Sequence, residues 1–102
     1  MVPPSVQFLL RAHDFTDEQA LDRRMAARPA HFETARQLKA NGHFVVGGAV
    51  LNEAGQMVGS MMVVEFPDEA ALQEWLQNDP YVTGRVWNPE TIDIRPFRVA
   101  QL

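Results

Sequence analysis

The sequence contains no cysteine, which excludes disulfides and thiol catalysis and fits a reducing compartment such as the cytoplasm. Positive charge is scarce as well. Nine Lys and Arg stand against thirteen Asp and Glu, for a net charge of −4, and no basic run is present. A phosphate backbone or an anionic membrane surface calls for a basic patch, so neither nucleic acid nor membrane is an expected partner. No apolar run approaches the ~18 residues that a membrane-spanning helix needs. The opening Met1-Val2-Pro3-Pro4-Ser5 lacks the charged start and apolar stretch of a secretory signal, and its first four residues read as a frayed end. The three histidines, His13, His31 and His43, match no metal-ligand spacing, so no metal is expected. Gly47-Gly48 lacks the strand-to-helix setting of a phosphate loop, and no cofactor is expected either.

What remains is an ordinary globular composition. The chain has 102 residues, 46% of them hydrophobic and 22% charged, enough for one domain over 1–102 with its own core. Val6 to Ala12 alternates as a strand, with Val6, Phe8, Leu10 and Ala12 on one face. Glu18 to Ala27 is rich in helix formers behind a Thr16 or Asp17 cap, and Pro29 is expected to break that helix from a second one ending at Asn41-Gly42. His43 to Val50 and Met57 to Phe66 read as strands joined by a hairpin at Asn52 to Gln56. Gly47-Gly48 marks a bulge or a close backbone approach in the first of them. Asp68 caps a helix with Leu72, Trp75 and Leu76 inward. Val82 to Pro89 is irregular with room for a helical turn, and Thr91 to Val99 gives a last strand.

The order strand, helix, strand, strand, helix, strand is the split βαβ arrangement of the ferredoxin-like α+β fold. Both helices would cover one face of a four-stranded antiparallel sheet. The other face is apolar too. In the third strand the sets Val58/Met62/Val64/Phe66 and Met61/Val63 are both greasy, and the second strand sets Phe44/Val46 against Val45/Ala49. A half-solvated sheet alternates more cleanly, so self-association into a homodimer through the sheet face is expected.

Two proline-punctuated stretches hold the chemistry. In Arg28-Pro29-Ala30-His31 the proline suits a first helical position, which would put His31 in an opening turn. In Asp79-Pro80-Tyr81 the proline disfavours α geometry at Asp79, so the preceding helix ends there and presents the carboxylate. Taken alone, these residues favour a plain reading in which His31 caps one helix and Asp79 ends another. Arg24 and Arg28 share a face if their helix is continuous. They would hold an anionic small molecule, or lie in solvent with Asp17 and Asp22 as partners. Ser60 donates a hydrogen bond in a pocket or fills space. Tyr81 walls a site or packs on Trp75 or Trp87. His13 follows the first strand and could line the same cavity, while His43 is expected to be exposed, and the methionines to fill the core.

These segments resemble the YCII-related (YciI-like) family. The resemblance runs through Leu21-Asp22-Arg23-Arg24-Met25, Arg28-Pro29-Ala30-His31, Gly48, Gly59-Ser60, Asp79-Pro80-Tyr81-Val82 and Pro96-Phe97, across nearly the whole chain. It implies the dimeric α+β-barrel form of the ferredoxin-like fold, similar to muconolactone isomerase, and a His–Asp pair that maps onto His31 and Asp79, with Ser60 as a third position. The family includes a dehydrochlorinase of a chlorinated hydroquinone, while most members have no assigned reaction. Here Ala49 follows Gly48 where the family often has proline, and Gly84-Arg85 replaces a glycine after Asp-Pro-Tyr. The implied chemistry is acid–base: a histidine titrates near neutrality, and an aspartate on one ring nitrogen fixes the tautomer and frees the other. Two readings follow. One is an enzyme that abstracts a proton from a small carbonyl-bearing molecule, driving isomerisation or elimination; the other is a non-catalytic ligand-binding or accessory module.

Overall fold

A computed structural model describes residues 5–102; the frayed end expected at 1–4 lies outside the described residues. The elements are β1 (Val6–His13), α1 (Ala20–Ala40), β2 (Phe44–Leu51), β3 (Met57–Phe66), α2 (Glu69–Asn78), the one-turn α3 (Pro80–Thr83), a 3₁₀ turn (Pro89–Thr91) and β4 (Asp93–Phe97). The strands form one antiparallel sheet in the order β2-β3-β1-β4, the ferredoxin-like topology.

Alternation in β1 turns Phe8, Leu10 and Ala12 inward, where they lie opposite Val64, Met62 and Ser60 of β3. Leu38 of α1, Leu72 and Leu76 of α2, and Tyr81 of α3 close this core from the helix side. Asp68 caps α2 by accepting the Ala71 N–H at 2.9 Å. The α1 stop is also as expected: Gly42 takes φ +78°, and the His43 N–H reaches back to the Leu38 carbonyl at 2.8 Å.

Pro29 does not break its helix. α1 runs unbroken for 21 residues from Ala20, and Asp17 stands just ahead of it, accepting the Gln19 N–H at 3.2 Å. Pro29 and Met25 both face solvent, so the Met25 carbonyl that loses its helical partner can turn to water. Continuity lets one rod place Arg24, His31 and Leu38 on the same inward stripe, which outweighs a proline penalty of ~3 kcal/mol.

In β2 the close approach falls at Gly47, where a Cβ would sit 3.1 Å from Met62 Cγ and 3.2 Å from the Met61 carbonyl oxygen. The bulges fall elsewhere. A register shift between Phe44 and Val46 puts Phe44 opposite Val64 on the helix face and Val46 opposite Val63 on the outer face, so the two do not share a side as the spacing implied. The final strand is shorter than Thr91 to Val99, because Asn88 caps a 3₁₀ turn that uses up its start.

Among the described residues no helix covers the outer sheet face. Its β2–β3 half presents Val46, Val50, Met61 and Val63, with Val46 50% and Val50 47% exposed. Its β1–β4 half is charged, with Arg11 against Asp93 and Arg95 against Leu9. Among the described residues no helix is long and apolar enough to cross a membrane.

Candidate active site

α1 lies over the sheet like a beam, and its inward stripe is polar. Between this stripe and β2–β3 is a cleft of about 340 Å³. Arg24, Arg28, His31, Ala35 and Lys39 line it from α1, with Phe44, Gly47 and Ala49 from β2, Met57, Ser60 and Met62 from β3, and Tyr81 from α3. The side-chain-free Gly47 allows β2 to lie close under Met62 and keeps the floor open.

His31 sits mid-helix, not in an opening turn, and its ring is buried. Its Nδ1 is 2.7 Å from Asp79 Oδ1. Asp79 ends α2 with extended backbone at φ −66° and ψ 137°, as its proline neighbour requires, and also caps α3 by accepting the Tyr81 N–H at 2.9 Å. A carboxylate only accepts, so Nδ1 is the nitrogen that donates to Asp79, and in the neutral imidazole Nε2 would keep its lone pair, on a ring that lines the cleft. Asp79 Oδ2 is buried and, among the described residues, receives no hydrogen bond. Tyr81 holds the imidazole flat, with centroids 3.8 Å apart and planes 9° from parallel, and Trp87 meets its edge at 5.7 Å. Burial pushes the Tyr81 phenol above its ordinary range, against the pull of Arg24 and Arg28, so the stacking partner stays neutral.

A second buried cluster adjoins the first. Arg24 Nη1 donates to both oxygens of Asp14, at 2.8 and 2.9 Å, and Nη2 donates to Ser60 Oγ at 2.8 Å. Trp87 Nε1 donates to the same oxygen at 3.1 Å. The Arg24 guanidinium also lies 4.8 Å from the Tyr81 ring centre, which links the two clusters. Arg28 rests over Phe32 at 4.4 Å, and among the described residues no carboxylate pairs with it.

The fold thus gathers His31, Arg24, Arg28, Ser60 and Tyr81 around one cleft, with Asp79 behind the imidazole. It does not bring His13 there. His13 lies on the outer sheet face opposite Gly59, exposed, its Nδ1 turned to the Asp14 carbonyl at 3.0 Å. Arg24 pairs with Asp14 rather than Asp17 or Asp22, and Tyr81 packs on Trp87 rather than Trp75. His43 is half-buried, stacked on Phe66 at 4.6 Å with Nδ1 on the Glu65 carbonyl. Asp14 and Trp87 were not foreseen as site residues. Strand parity carried the signal for Asp14: the alternation that turns Phe8, Leu10 and Ala12 inward does the same to position 14 and the opposite to position 13. Among the described residues no group of three His, Asp or Glu side chains is arranged to hold a metal ion.

The YCII-related domain model matches residues 7–98. The protein YciI of Escherichia coli O6:H1 is 30% identical over 97 residues, covering 89% of this chain and 95% of that protein. A solved structure of the 5-chloro-2-hydroxyhydroquinone dehydrochlorinase of Burkholderia phenoliruptrix AC1100, in complex with 2,5-dihydroxybenzoquinone, superposes with a TM-score of 0.77 at 21% identity, over 92% of this chain and 95% of that one. A dimeric ferredoxin-like protein from Jannaschia sp. CCS1 has a TM-score of 0.56 at 16% identity, over 94% of this chain and 100% of that one.

Proposed function

The chain belongs to the YCII-related family, and from that premise we propose that it is an enzyme that moves protons on a small carbonyl-bearing molecule, with His31 as base and Asp79 as its orienting partner. The observation that carries this reading is the 2.7 Å contact between a buried imidazole and a buried carboxylate, with the imidazole lining a cleft of about 340 Å³. Nδ1–H bound to Asp79 fixes the tautomer, so Nε2 takes a proton from carbon and later returns it, to another carbon in an isomerisation or to solvent in an elimination. The oxygenated ring bound by the dehydrochlorinase neighbour is of the class that this cleft would suit. Arg28 and Lys39 line it, and among the described residues neither has a carboxylate partner, in a chain of net charge −4, which supports a substrate that bears an anionic group, held by Arg28. Tyr81 keeps the imidazole in plane.

We further propose a homodimer closed through the outer sheet face. The exposed Val46 and Val50 beside Met61 and Val63 support it, as does the dimeric state of the Jannaschia neighbour.

The test is deuterium uptake from heavy water into a panel of small cyclic and open-chain carbonyl compounds, 2,5-dihydroxybenzoquinone included, followed by NMR. Wild type accelerates exchange at one carbon next to a carbonyl, and His31→Asn loses about 10²–10⁴ of that rate while binding the same compound. If wild type exchanges none of the panel, or His31→Asn exchanges as fast as wild type, the reading fails. Unchanged binding without any exchange would make the protein a ligand-binding module.

A further inference from the structure

Charge is divided unevenly between the cleft and the rest of the chain. Acidic residues outnumber basic ones over the whole sequence, thirteen to nine. Among the described residues that line the cleft, Arg24, Arg28, Arg36 and Lys39 are cationic and none is Asp or Glu. Asp14 neutralises Arg24, and Glu33 meets Arg36 at 3.3 Å in solvent. Neither Arg28 nor Lys39 has such a partner among the described residues.

The four cations stand on one stripe of α1. A helical rise of ~1.5 Å per residue puts Lys39 ~16 Å beyond Arg28 and ~12 Å beyond His31. The cleft runs the same way. Ser60, bonded to Arg24, marks one end, and Phe44, just past the turn that ends α1, marks the other. Between them lie Ala35, Gly47 and Met62, which bring no strong side-chain donor or acceptor. The end of α1 is itself no anion site, because a helix C-terminus favours cations. Its last carbonyls are already engaged by the Asn41, Gly42 and His43 N–H groups, at 3.1, 3.1 and 2.8 Å. The Lys39 stem leans back toward the helix start, as helical side chains do, and so carries its ammonium away from those carbonyls. A single ammonium matches the one charge of a carboxylate, whereas a phosphate with up to about two charges would leave one unmatched.

We infer that the Lys39 end of the cleft is a second anion subsite, and that the substrate is an elongated acid whose far carboxylate is joined to its reacting end by an apolar skeleton of roughly 10 Å. The inference rests on the acid–base reading for which end reacts, but capture of the far carboxylate does not depend on proton transfer. Arg28 holds the near acidic group, Lys39 the far one, and Ala35, Phe44 and Gly47 cover the chain between them. Lys39 therefore selects by length, since a short acid reaches Arg28 alone.

Succinate, suberate and dodecanedioate are dicarboxylates of increasing length, and calorimetry at low ionic strength measures their binding. Wild-type affinity rises along the series. Lys39→Met keeps the apolar stem and removes the charge. It binds succinate as wild type does and loses roughly 2- to 5-fold of the dodecanedioate affinity, the scale of an exposed ion pair, while Lys39→Arg keeps it. The hydroxy acid of the same length, with a hydroxyl in place of the far carboxylate, binds wild type and Lys39→Met alike. Salt at about 1 M removes the difference between the two proteins for the diacid. Lys39 is the only lysine of the chain, so acetylation mapped by mass spectrometry gives an independent readout. Dodecanedioate slows modification of Lys39, and succinate does not. The inference is overturned if Lys39→Met binds dodecanedioate as tightly as wild type, if wild type binds the hydroxy acid as tightly as the diacid, or if no diacid binds. His31→Asn should bind the series as wild type does. If it does so while wild type exchanges no deuterium, the subsite stands and only the acid–base reading falls.

Discussion

Arg23 and Arg24 are consecutive on α1, and each grips an aspartate from the segment that leads into the helix. Their hydrogen bonds are equally short. Arg23 meets the two oxygens of Asp17 at 2.8 Å each, and Arg24 those of Asp14 at 2.8 and 2.9 Å. They differ in solvent. The side chains of the outer pair are 32% and 45% exposed, those of the inner pair 3% and 4%. Water and salt weaken the outer pair, and side-chain entropy opposes it, so it contributes little. The inner pair has lost its hydration, and a well-packed apolar substitute would serve the fold as well or better. What an apolar pair could not do is present a guanidinium to Ser60. Arg23 spends both terminal nitrogens on its aspartate, whereas Arg24 spends one on Asp14 and turns the other to Ser60, so pairs of similar length perform two jobs and burial separates them.

The largest effect should come from halving the inner pair. Asp14→Ala leaves a buried guanidinium unpaired and should cost about 3–5 kcal/mol in urea-induced unfolding. Replacing both partners, as Asp14→Leu with Arg24→Met, should recover most of that loss while Ser60 keeps only the Trp87 bond. The double variant then folds but no longer presents a guanidinium to Ser60. If it is as unstable as the single variant, the inner pair is structural and the contrast with Arg23 narrows to one of burial alone.

The sequence made the scaffold readable because its signals were local. Alternation in β1, the Asp68 cap, the Asn41-Gly42 stop and the extended backbone before Pro80 each depend on a few neighbouring residues, and each formed as expected. Where a distant contact decided the outcome, local reading failed. Pro29 stays inside α1 because the stripe Arg24, His31, Leu38 needs one continuous rod. Val46 changes face because of a bulge that no single residue announces. For the site, the prolines marked His31 and Asp79, yet the meeting of two side chains 48 positions apart is a product of topology. The position of His13 after β1 suggests the cavity, yet β1 parity turns it outward, and the same parity points to Asp14.

A smaller effect sharpens the outer side of the comparison. Arg23 is steadied by the Arg85 carbonyl, which accepts its Nε–H at 3.0 Å, and Arg85 holds a left-handed φ of 55° without being glycine. Its guanidinium lies 5.1 Å from the Phe15 ring centre, so any truncation loses that contact. Arg85→Gly and Arg85→Ala lose it equally, but only glycine relieves the backbone. The glycine variant should therefore be the more stable of the two by about 1 kcal/mol in chemical denaturation. Equal stabilities would mean that the strain is absorbed by neighbouring residues.

The smallest effect distinguishes the two arginines most directly. The bidentate hydrogen bond from Arg23 lowers the Asp17 carboxyl from 3.8 to about 2. A depressed folded-state value means that the ionised pair favours the folded chain above pH 3.8, and that this contribution is lost as the pH falls toward about 2. Asp17→Asn should thus lower the thermal midpoint slightly at neutral pH, and the difference from wild type should vanish below pH about 2. Raising the salt to about 1 M shortens the screening length to ~3 Å and should erase most of the Asp17→Asn effect. The Asp14→Ala penalty should persist at the same salt, because ions do not reach a pair that water does not reach. If salt removes both penalties alike, the inner pair is not shielded, and burial does not separate the two arginines.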